Sequence, residues 1–180
     1  MSRYLYPPPL SDKLADWSAL AAFGGEVFYA GKDMLDVGPA YGLDAMMMAP
    51  KARRYVVADS DEYVLEHVRA LHTGANTVCF DATRPWPLVE TFDTVLDFST
   101  FDDTSDPLAC YREAVRALRP GGCLISSFAN ARHAPPWVPG LPTTQDPDQL
   151  GQFVASLGFS EFRLIHEEFP RATILARRPT

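Results

Sequence analysis

The spacing of hydrophobic residues changes once along this chain, near residue 34. Upstream of that point, five hydrophobic residues recur at helical spacing ahead of a glycine pair: Leu14, Trp17, Leu20, Ala21 and Phe23. This pattern predicts one amphipathic helix with these side chains facing inward, preceded by an extended Pro-rich head. We therefore expect residues 1–30 to form an extended segment and a lid helix, ahead of one compact domain over residues 31–180.

Downstream of that point, short apolar runs alternate with helix-like segments. Five runs have strand length and few polar residues: 34–37, 55–58, 77–80, 94–96 and 123–128. Runs of this kind are typical of parallel strands that are buried on both faces. Helices are expected beyond Gly42, over residues 61–71 and from Asp106-Pro107 onward. This alternation predicts right-handed β-α-β crossovers onto one parallel sheet.

The last quarter of the chain has a different order of elements. Asp146-Pro147 is a helix cap followed by proline at the first helical position, and Gly158 stands where that helix would end. Two strand candidates, 162–168 and 173–177, follow with no helix between them, so they must form an antiparallel pair. The whole pattern predicts an α/β fold with a doubly wound, mostly parallel seven-stranded sheet, an antiparallel last strand and helices on both faces.

The charge balance of the chain narrows its partners. Lys and Arg number 16 against 23 Asp and Glu, which gives a net charge of −7, and no basic cluster interrupts this acidic background. Because nucleic-acid surfaces require a surplus of cations, we expect no nucleic-acid partner. Apolar runs are too short for a membrane span, no leader-like segment is evident, and three widely spaced cysteines suggest reduced thiols. We therefore expect a cytoplasmic protein with no membrane partner.

A glycine-containing turn follows the first predicted strand. The run from Met34 to Gly42 leaves a strand and enters a helix, and in open α/β sheets ligands bind in the crevice at such a point. The free amide groups of the following helix favour an anionic group. A dinucleotide fingerprint starting at Gly38 would need glycine at positions 40 and 43, where the chain has Ala40 and Leu43. A nicotinamide cofactor is therefore disfavoured.

Several segments, in order, make the chain resemble the class I S-adenosylmethionine-dependent methyltransferases. They extend over residues 33 to about 177, and they are LDVGPAYG, VVADSDEYVLEHVR, TVCFDATRPWP, the long block from FDTVLDF to LRPGGCLISSF, and DPDQLGQFVASLGFSEFRLIHEE. Each segment alone is a weak signal, because glycines and aspartates follow strands in many α/β proteins. Their occurrence in the family's order makes the resemblance specific.

The resemblance implies S-adenosylmethionine as the cofactor and S-adenosylhomocysteine as its product. It places Asp36 beside the methionine part and Asp59 at both ribose hydroxyls, where a carboxylate can accept two hydrogen bonds. Asp81 and the Ala82 backbone would meet the adenine edge. The remaining residues of the expected cofactor site lie in the same segments: Gly38, Pro39, Ala40, Gly42, Ser60, Asp97 and Phe98.

Methyl transfer demands alignment of the acceptor more than a strong catalytic group, because the cofactor carries the leaving group. Asp97, at the end of the fourth strand, is expected to orient an amine or hydroxyl, and an exposed strand-end carboxylate or a helix cap is the alternative. His133, after the fifth strand, is the candidate base, and an ordinary surface histidine is the alternative. Asp102-Asp103 is expected to be a solvated loop, and no metal site is expected.

The acceptor is expected to be an oxygen or nitrogen of a small metabolite, bound by a monomer or a homodimer. Aromatic residues in irregular segments, Tyr4, Tyr6 and Trp137, are expected to cover it. Two alternatives remain open. One is a non-catalytic partner domain, because Pro39 removes an amide donor and Ala40 adds a methyl group in the glycine turn. The other is methylation of a peptide or protein.

Overall fold

Seven strands form one mixed sheet in the computed structural model, which describes residues 10–98, 100–133, 145–166 and 171–180. The order across the sheet is β3-β2-β1-β4-β5-β7-β6. The strands are β1 Asp33–Val37, β2 Arg54–Asp59, β3 Asn76–Cys79, β4 Phe92–Phe98, β5 Leu118–Ala129, β6 Glu161–Ile165 and β7 Arg171–Arg177. The aromatic lid residues expected at positions 4, 6 and 137 lie outside the described residues.

Strands β1 to β5 are parallel, and β7 runs antiparallel between β5 and β6. The doubly wound sheet with an antiparallel end is thus confirmed. The α-helices are α1 Leu10–Phe23, α2 Leu43–Met48, α3 Glu62–Ala70, α4 Pro107–Ala117 and α5 Pro147–Ser156. Strand order reverses between β1 and β4, so the loops at their carboxyl ends diverge and leave a crevice between them.

The residues along each central strand alternate between two hydrophobic cores, one on each face of the sheet. On one face Leu35 and Val95 pack with buried residues of α4 and α5, among them Tyr111. On the other face Met34 and Leu96 pack with α1, α2 and α3. Both faces are covered by helices, which explains why these strands are apolar at nearly every position instead of at alternate ones.

Two helices of the second half begin where the sequence predicts. The Asp106 carboxylate accepts a hydrogen bond from the Ala109 N–H at 3.0 Å, and Asp146 accepts two from the first turn of α5. A proline follows each cap, where its missing N–H costs no hydrogen bond. These caps set the positions at which the chain leaves the sheet edge and turns into α4 and α5.

Strand β5 is longer than its apolar run predicts. It begins at Leu118, and its pairing with β4 shifts between Phe92 and Thr94, where Gly121 and Gly122 occupy a bulge. Gly121 has a φ of 76°, a region in which glycine is favoured. The glycine pair ahead of the apolar run is thus an irregularity within the strand.

The inward face of α1 matches the prediction only in part, since Leu20 and Phe23 are buried and Trp17 packs against the same core. Leu14 is 54% exposed and Ala21 is exposed, whereas Lys13 and Asp16 are buried. Lys13 and Asp16 are buried because α2 and β5 offer them charged and polar partners. The spacing of hydrophobic residues does not register such partners, so it misplaces part of the inward face. None of the helices in the described part of the chain has the length and apolar run that would cross a bilayer.

The turn after β4 depends on one buried aromatic ring, Phe101. The ring is fully buried and lies edge-on to Tyr111, with centroids 5.1 Å apart. Phe101→Ala should lower the free energy of unfolding by about 3–5 kcal/mol, because it leaves a cavity under the turn. Urea denaturation would measure this loss. Phe162→Ala is the control on an edge strand, since Phe162 is 37% exposed and its loss should be smaller. Equal losses in the two variants would contradict this account of the turn.

Candidate functional site

A cavity of about 350 Å³ lies at the carboxyl ends of β1, β2 and β3. Five residues of the predicted cofactor site line it: Gly38, Asp59, Ser60, Asp81 and Ala82. The turn after β4 closes the opposite wall with Thr100 and Asp103. The other predicted cofactor residues are not among its lining residues: Asp36, Pro39, Ala40, Gly42, Asp97 and Phe98. The volume is within the range of small-ligand sites.

Asp59 lines this cavity and has one unused hydrogen-bond acceptor. Its Oδ1 accepts a hydrogen bond from the Asp61 N–H at 2.9 Å, which holds the carboxylate in place. Its buried Oδ2 has no hydrogen-bond partner among the described residues. Burial raises the pKa of this carboxyl. A buried acceptor without a donor is costly, so this oxygen suits a ligand that brings hydroxyl donors, as a ribose does.

The far end of the cavity combines a fixed carboxylate with an apolar wall. Asp81 accepts hydrogen bonds from the Thr83 N–H at 2.9 Å and from its hydroxyl at 2.7 Å. These bonds lower the pKa of Asp81, so the group stays ionised. Phe80 lines the cavity and packs on the Trp86 ring with centroids 5.3 Å apart. A flat, donor-bearing base such as adenine fits a wall of this composition.

The side chain of Thr100 leaves room only for glycine at position 38. The sequence pattern did not single out Thr100. The Thr100 hydroxyl donates to the Gly38 carbonyl at 3.2 Å. A Cβ on Gly38 would lie 1.9 Å from the Thr100 Oγ1, and the φ of Gly38 is +72°. The turn after β4 therefore rests directly on the glycine turn, and the cavity extends from there toward β3.

The alanine in the glycine turn adopts a glycine-like backbone. Ala40 has a φ of 48°, in the left-handed region, and Gly42 follows with a φ of 71°. The Gly42 N–H donates to the Pro39 carbonyl at 2.8 Å and closes the turn. The missing N–H of Pro39 and the added methyl of Ala40 are thus compatible with the turn itself.

Asp36 lies under α1 instead of lining the cavity. It is buried and accepts a hydrogen bond from the Tyr55 hydroxyl at 3.0 Å. Burial, and next the Asp44 carboxylate nearby, raise its pKa. Asp44 is held by the Lys13 ammonium at 2.5 Å and the Trp17 indole N–H at 2.8 Å. The sequence pattern missed Lys13 and Asp44, and the position of Lys13 four residues before Trp17 is the signal that could have found the first.

The Lys13 ammonium also lies 4.8 Å from the centre of the Phe98 ring. Its positive charge lowers the pKa of Asp36, against the larger effect of burial. The amino-terminal helix is therefore fastened over the carboxyl ends of β1 and β4 by charged groups. This places α1 next to the end of the cleft where the resemblance expects the methionine part of the cofactor.

Neither of the two candidate catalytic residues lines the cavity. Asp97 is fully buried, and its carboxylate accepts hydrogen bonds from the Thr100 and Phe101 N–H groups at 2.8 and 3.1 Å and from the Ser126 hydroxyl at 2.6 Å. Burial raises its pKa to about 7. The structure thus gives Asp97 the geometry of a turn cap. His133 is exposed in the turn after β5.

The expectation of a solvated loop at Asp102-Asp103 is wrong for Asp102. This residue is only 2% exposed, and its Oδ2 accepts a hydrogen bond from the Ala129 N–H at 2.5 Å. Burial raises its pKa to about 8. The reason is tertiary: Asp97 draws the turn inward, so Asp102 meets the end of β5. Across the described ranges no three His, Cys, Asp or Glu side chains form a metal cluster.

Family comparison identifies the class of this fold and cleft. A family model described as a methyltransferase domain matches residues 35–126, just over half of the chain. The chain therefore belongs to this family and is a class I S-adenosylmethionine-dependent methyltransferase by fold and family, which implies S-adenosylmethionine as the cofactor.

Individual relatives agree with that assignment. A protein named "Probable S-adenosylmethionine-dependent methyltransferase" from Mycolicibacterium smegmatis is 32% identical over 102 residues, which cover 56% of this chain and 39% of that protein. A ubiquinone biosynthesis O-methyltransferase from Parvibaculum lavamentivorans is 29% identical over 100 residues, covering 53% and 40% of the two proteins. The chain thus matches about two fifths of the length of these relatives.

The fold also matches a solved structure. An S-adenosylmethionine-dependent methyltransferase from Mesorhizobium loti superposes with a TM-score of 0.77 at 18% identity, covering 91% of this chain and 98% of that one. At this level of identity the similarity concerns the fold alone.

The contact between Gly38 and Thr100 gives a prediction for stability. Gly74→Ala should cost about 1–2 kcal/mol of unfolding free energy, since its φ is +80° and no atom lies within 4 Å of the added methyl. Gly38→Ala should cost about 1–3 kcal/mol more, because Thr100 occupies the space. Urea denaturation of both variants checks this. Adding Thr100→Gly to Gly38→Ala should remove the excess, and an unchanged excess would contradict the contact.

The buried carboxylates give a prediction for pH dependence. An aspartate whose pKa is raised by folding holds more protons in the native than in the unfolded state, so stability falls with rising pH between the two pKa values. Asp97 and Asp102 have native pKa values of about 7 and about 8 against an ordinary 3.8. The free energy of unfolding should therefore decrease from about pH 5 to about pH 8. Urea denaturation across this range measures it, and Asp97→Asn should flatten the slope. A slope of opposite sign would refute these assignments.

Proposed function

We propose that this chain binds S-adenosylmethionine in the cavity and transfers its methyl group to an oxygen or nitrogen of a small metabolite. The observation that carries the proposal is the buried, unpartnered Oδ2 of Asp59, a residue that lines a cavity of about 350 Å³, in a chain of the methyltransferase family. The residues that line the cavity fit the cofactor, since they offer an acceptor for hydroxyl groups, an ionised Asp81 and an apolar wall at Phe80.

In this proposal, different residues of the cavity bind different parts of the cofactor. Asp59 would hold the ribose, because its orientation is already fixed by the Asp61 N–H. Asp81 and Phe80 would hold the adenine. When bound, the cofactor supplies an activated methyl group on a sulfonium, so the protein has only to align the acceptor and exclude water. The Thr100–Gly38 contact and α1 would exclude water from the end of the cleft near β1 and β4.

The names of the relatives give only general information about the methyl acceptor. One of them is named an O-methyltransferase of ubiquinone biosynthesis, which is consistent with an oxygen acceptor and a small metabolite. We propose a monomer or a homodimer as the acting form. In this proposal His133 remains the candidate base for a protonated acceptor, and Asp97 acts on the acceptor only by shaping the turn that borders it.

Calorimetric titration with S-adenosylhomocysteine tests the proposal directly. Saturable one-to-one binding is the expected result. Absence of binding to the folded protein would overturn the proposal and favour a non-catalytic partner domain. Transfer of radiolabelled methyl to small molecules, compared with transfer to peptides, would then separate the two kinds of acceptor.

Asp59→Ala should weaken the binding of S-adenosylhomocysteine by about 1–3 kcal/mol, the usual range for hydrogen bonds lost at a buried site. This corresponds to about 5- to 160-fold in the dissociation constant. The matched control is Glu62→Gln, which removes one negative charge nearby on the exposed surface of α3, outside the cavity. Calorimetry should show unchanged affinity for the control. Equal affinities for Asp59→Ala and wild type would mean that the ribose is held elsewhere.

A further inference from the structure

The charged side chains that line the cavity at the ends of β1, β2 and β3 all have the same sign. Four of the lining residues are aspartates: Asp59, Asp61, Asp81 and Asp103. Among the described residues that line it there is no lysine, arginine or histidine. A cleft lined by charges of one sign raises the local concentration of ligands with the opposite charge. The cavity therefore favours a ligand with a net positive charge.

These four carboxylates belong to different walls of the cavity. Asp59 ends β2 and Asp61 caps α3, whereas Asp81 lies just beyond β3 and Asp103 belongs to the turn after β4, on the opposite wall. A compact space of about 350 Å³ is roughly 9 Å across, which is close to the Debye length of about 8 Å at physiological salt. A charge bound in the cavity therefore interacts with all four, and dissolved salt screens them only in part.

Three of these carboxylates reach solvent, which hydrates their charge. Asp61 is half-buried, and Asp81 and Asp103 are exposed. Hydrogen bonds from Thr83 lower the pKa of Asp81, so this group stays ionised. Asp59 is 5% exposed, and burial raises its pKa, so its charge contributes less than the others near neutral pH. The negative charge of the cavity thus depends mainly on Asp61, Asp81 and Asp103.

The partners of these carboxylates leave most of the negative charge in place. The Arg84 Nε lies 3.9 Å from the Asp81 Oδ2, but the Arg84 side chain is 79% exposed, and such pairs contribute little in water. Asp61 accepts a hydrogen bond from the Tyr63 N–H at 2.9 Å, a group at the start of α3 that has only a partial positive charge.

We propose that Asp61 and Asp103, together with Asp59 and Asp81, make the cavity select S-adenosylmethionine over S-adenosylhomocysteine by charge. The inference rests on the proposed function and adds two specificity-determining residues to it, Asp61 and Asp103. The methyl donor has a sulfonium and one net positive charge, whereas the product has a neutral thioether and no net charge. One carbon joins the sulfonium to the ribose ring, so a ribose held by Asp59 keeps the positive charge near these carboxylates.

A preference of this kind affects turnover. Donor and product share their adenine, ribose and amino-acid groups, so contacts with those groups stabilise both ligands and do not distinguish them. The two differ in the methyl group and in the charge. A cavity that attracts the charged form is refilled with donor while product accumulates, which limits inhibition by the product. Phosphorylated nucleotides share adenine and ribose, but their negative charge is repelled by the same carboxylates.

Calorimetric titration of the full chain with each of the two ligands, at low and high salt, measures the preference. A pair of opposite charges roughly 8 Å apart in water-like surroundings changes an equilibrium constant by about twofold. Four partly screened carboxylates should therefore favour the donor by about tenfold at about 10 mM salt. At about 1 M salt, where the Debye length is about 3 Å, the two affinities should lie within about twofold of each other. Effects of salt on burial of the shared adenine cancel in this ratio.

Asparagine substitutions remove the charge and keep the shape of the side chain. In Asp61→Asn the amide oxygen can still accept the hydrogen bond from the Tyr63 N–H, because asparagine is also a good helix cap. At low salt, Asp61→Asn and Asp103→Asn should each weaken donor binding by about twofold, and the double variant by about fourfold. Binding of the product should be unchanged in all three variants, which also shows that the cavity is intact.

The matched control is Glu161→Gln. It removes one exposed carboxylate on β6, at the opposite edge of the sheet from β3. Because this charge lies far from the cavity, both ligands should keep their wild-type affinities.

Three results would overturn this inference: equal affinities for donor and product in the wild type at low salt, a preference that is the same at low and high salt, or a preference that persists undiminished in the double variant. The proposed function has a separate outcome. Failure of both ligands to bind the wild type would refute it, whereas binding of both without a preference would refute the selection by charge alone.

Discussion

Several buried carboxylates lie at or just beyond the carboxyl ends of the parallel strands, and each of them needs hydrogen-bond donors. The donors that each one finds determine how the chain is arranged at this end of the sheet. Asp97 takes the N–H groups of Thr100 and Phe101, and so bends the chain after β4 back across the edge of the sheet. That bend presses Thr100 onto Gly38. Because a buried carboxylate without donors is costly, the cap fixes the turn. The crevice between β1 and β4 is thereby narrowed, and the cavity lies toward β3.

The same turn links binding to stability. It brings Asp102 under the end of β5, where one oxygen is satisfied and the other is not. Asp59 shows the same division on the other side of the cleft. In each case a backbone N–H donates to one oxygen and so orients the carboxylate, and the second oxygen has no hydrogen-bond donor among the described residues. Groups of this kind lower the stability of the unliganded fold, and sites of function are where such losses are usually retained.

The prediction from sequence was most accurate for features that depend on residues close together along the chain. The caps at Asp106 and Asp146 need only a carboxylate ahead of a proline and a free first turn, so they could be located directly. The position of Asp59 at the end of β2 follows from the strand pattern and the family's motif order. The helix α1 shows the limit, because periodicity assumes that the apolar side is buried. Here Lys13 and Asp16 are buried because their partners lie on α2, β5 and β7.

The sequence by itself determined the order of strands and helices, the glycine turn and the family, since each depends on neighbours within a few residues or on a pattern that repeats along the chain. Only the tertiary structure decided that Asp97 is a cap, that Thr100 rests on Gly38 and that Asp102 is buried. These outcomes depend on contacts between distant segments, and the burial of a charged group is known only when its partners are in place.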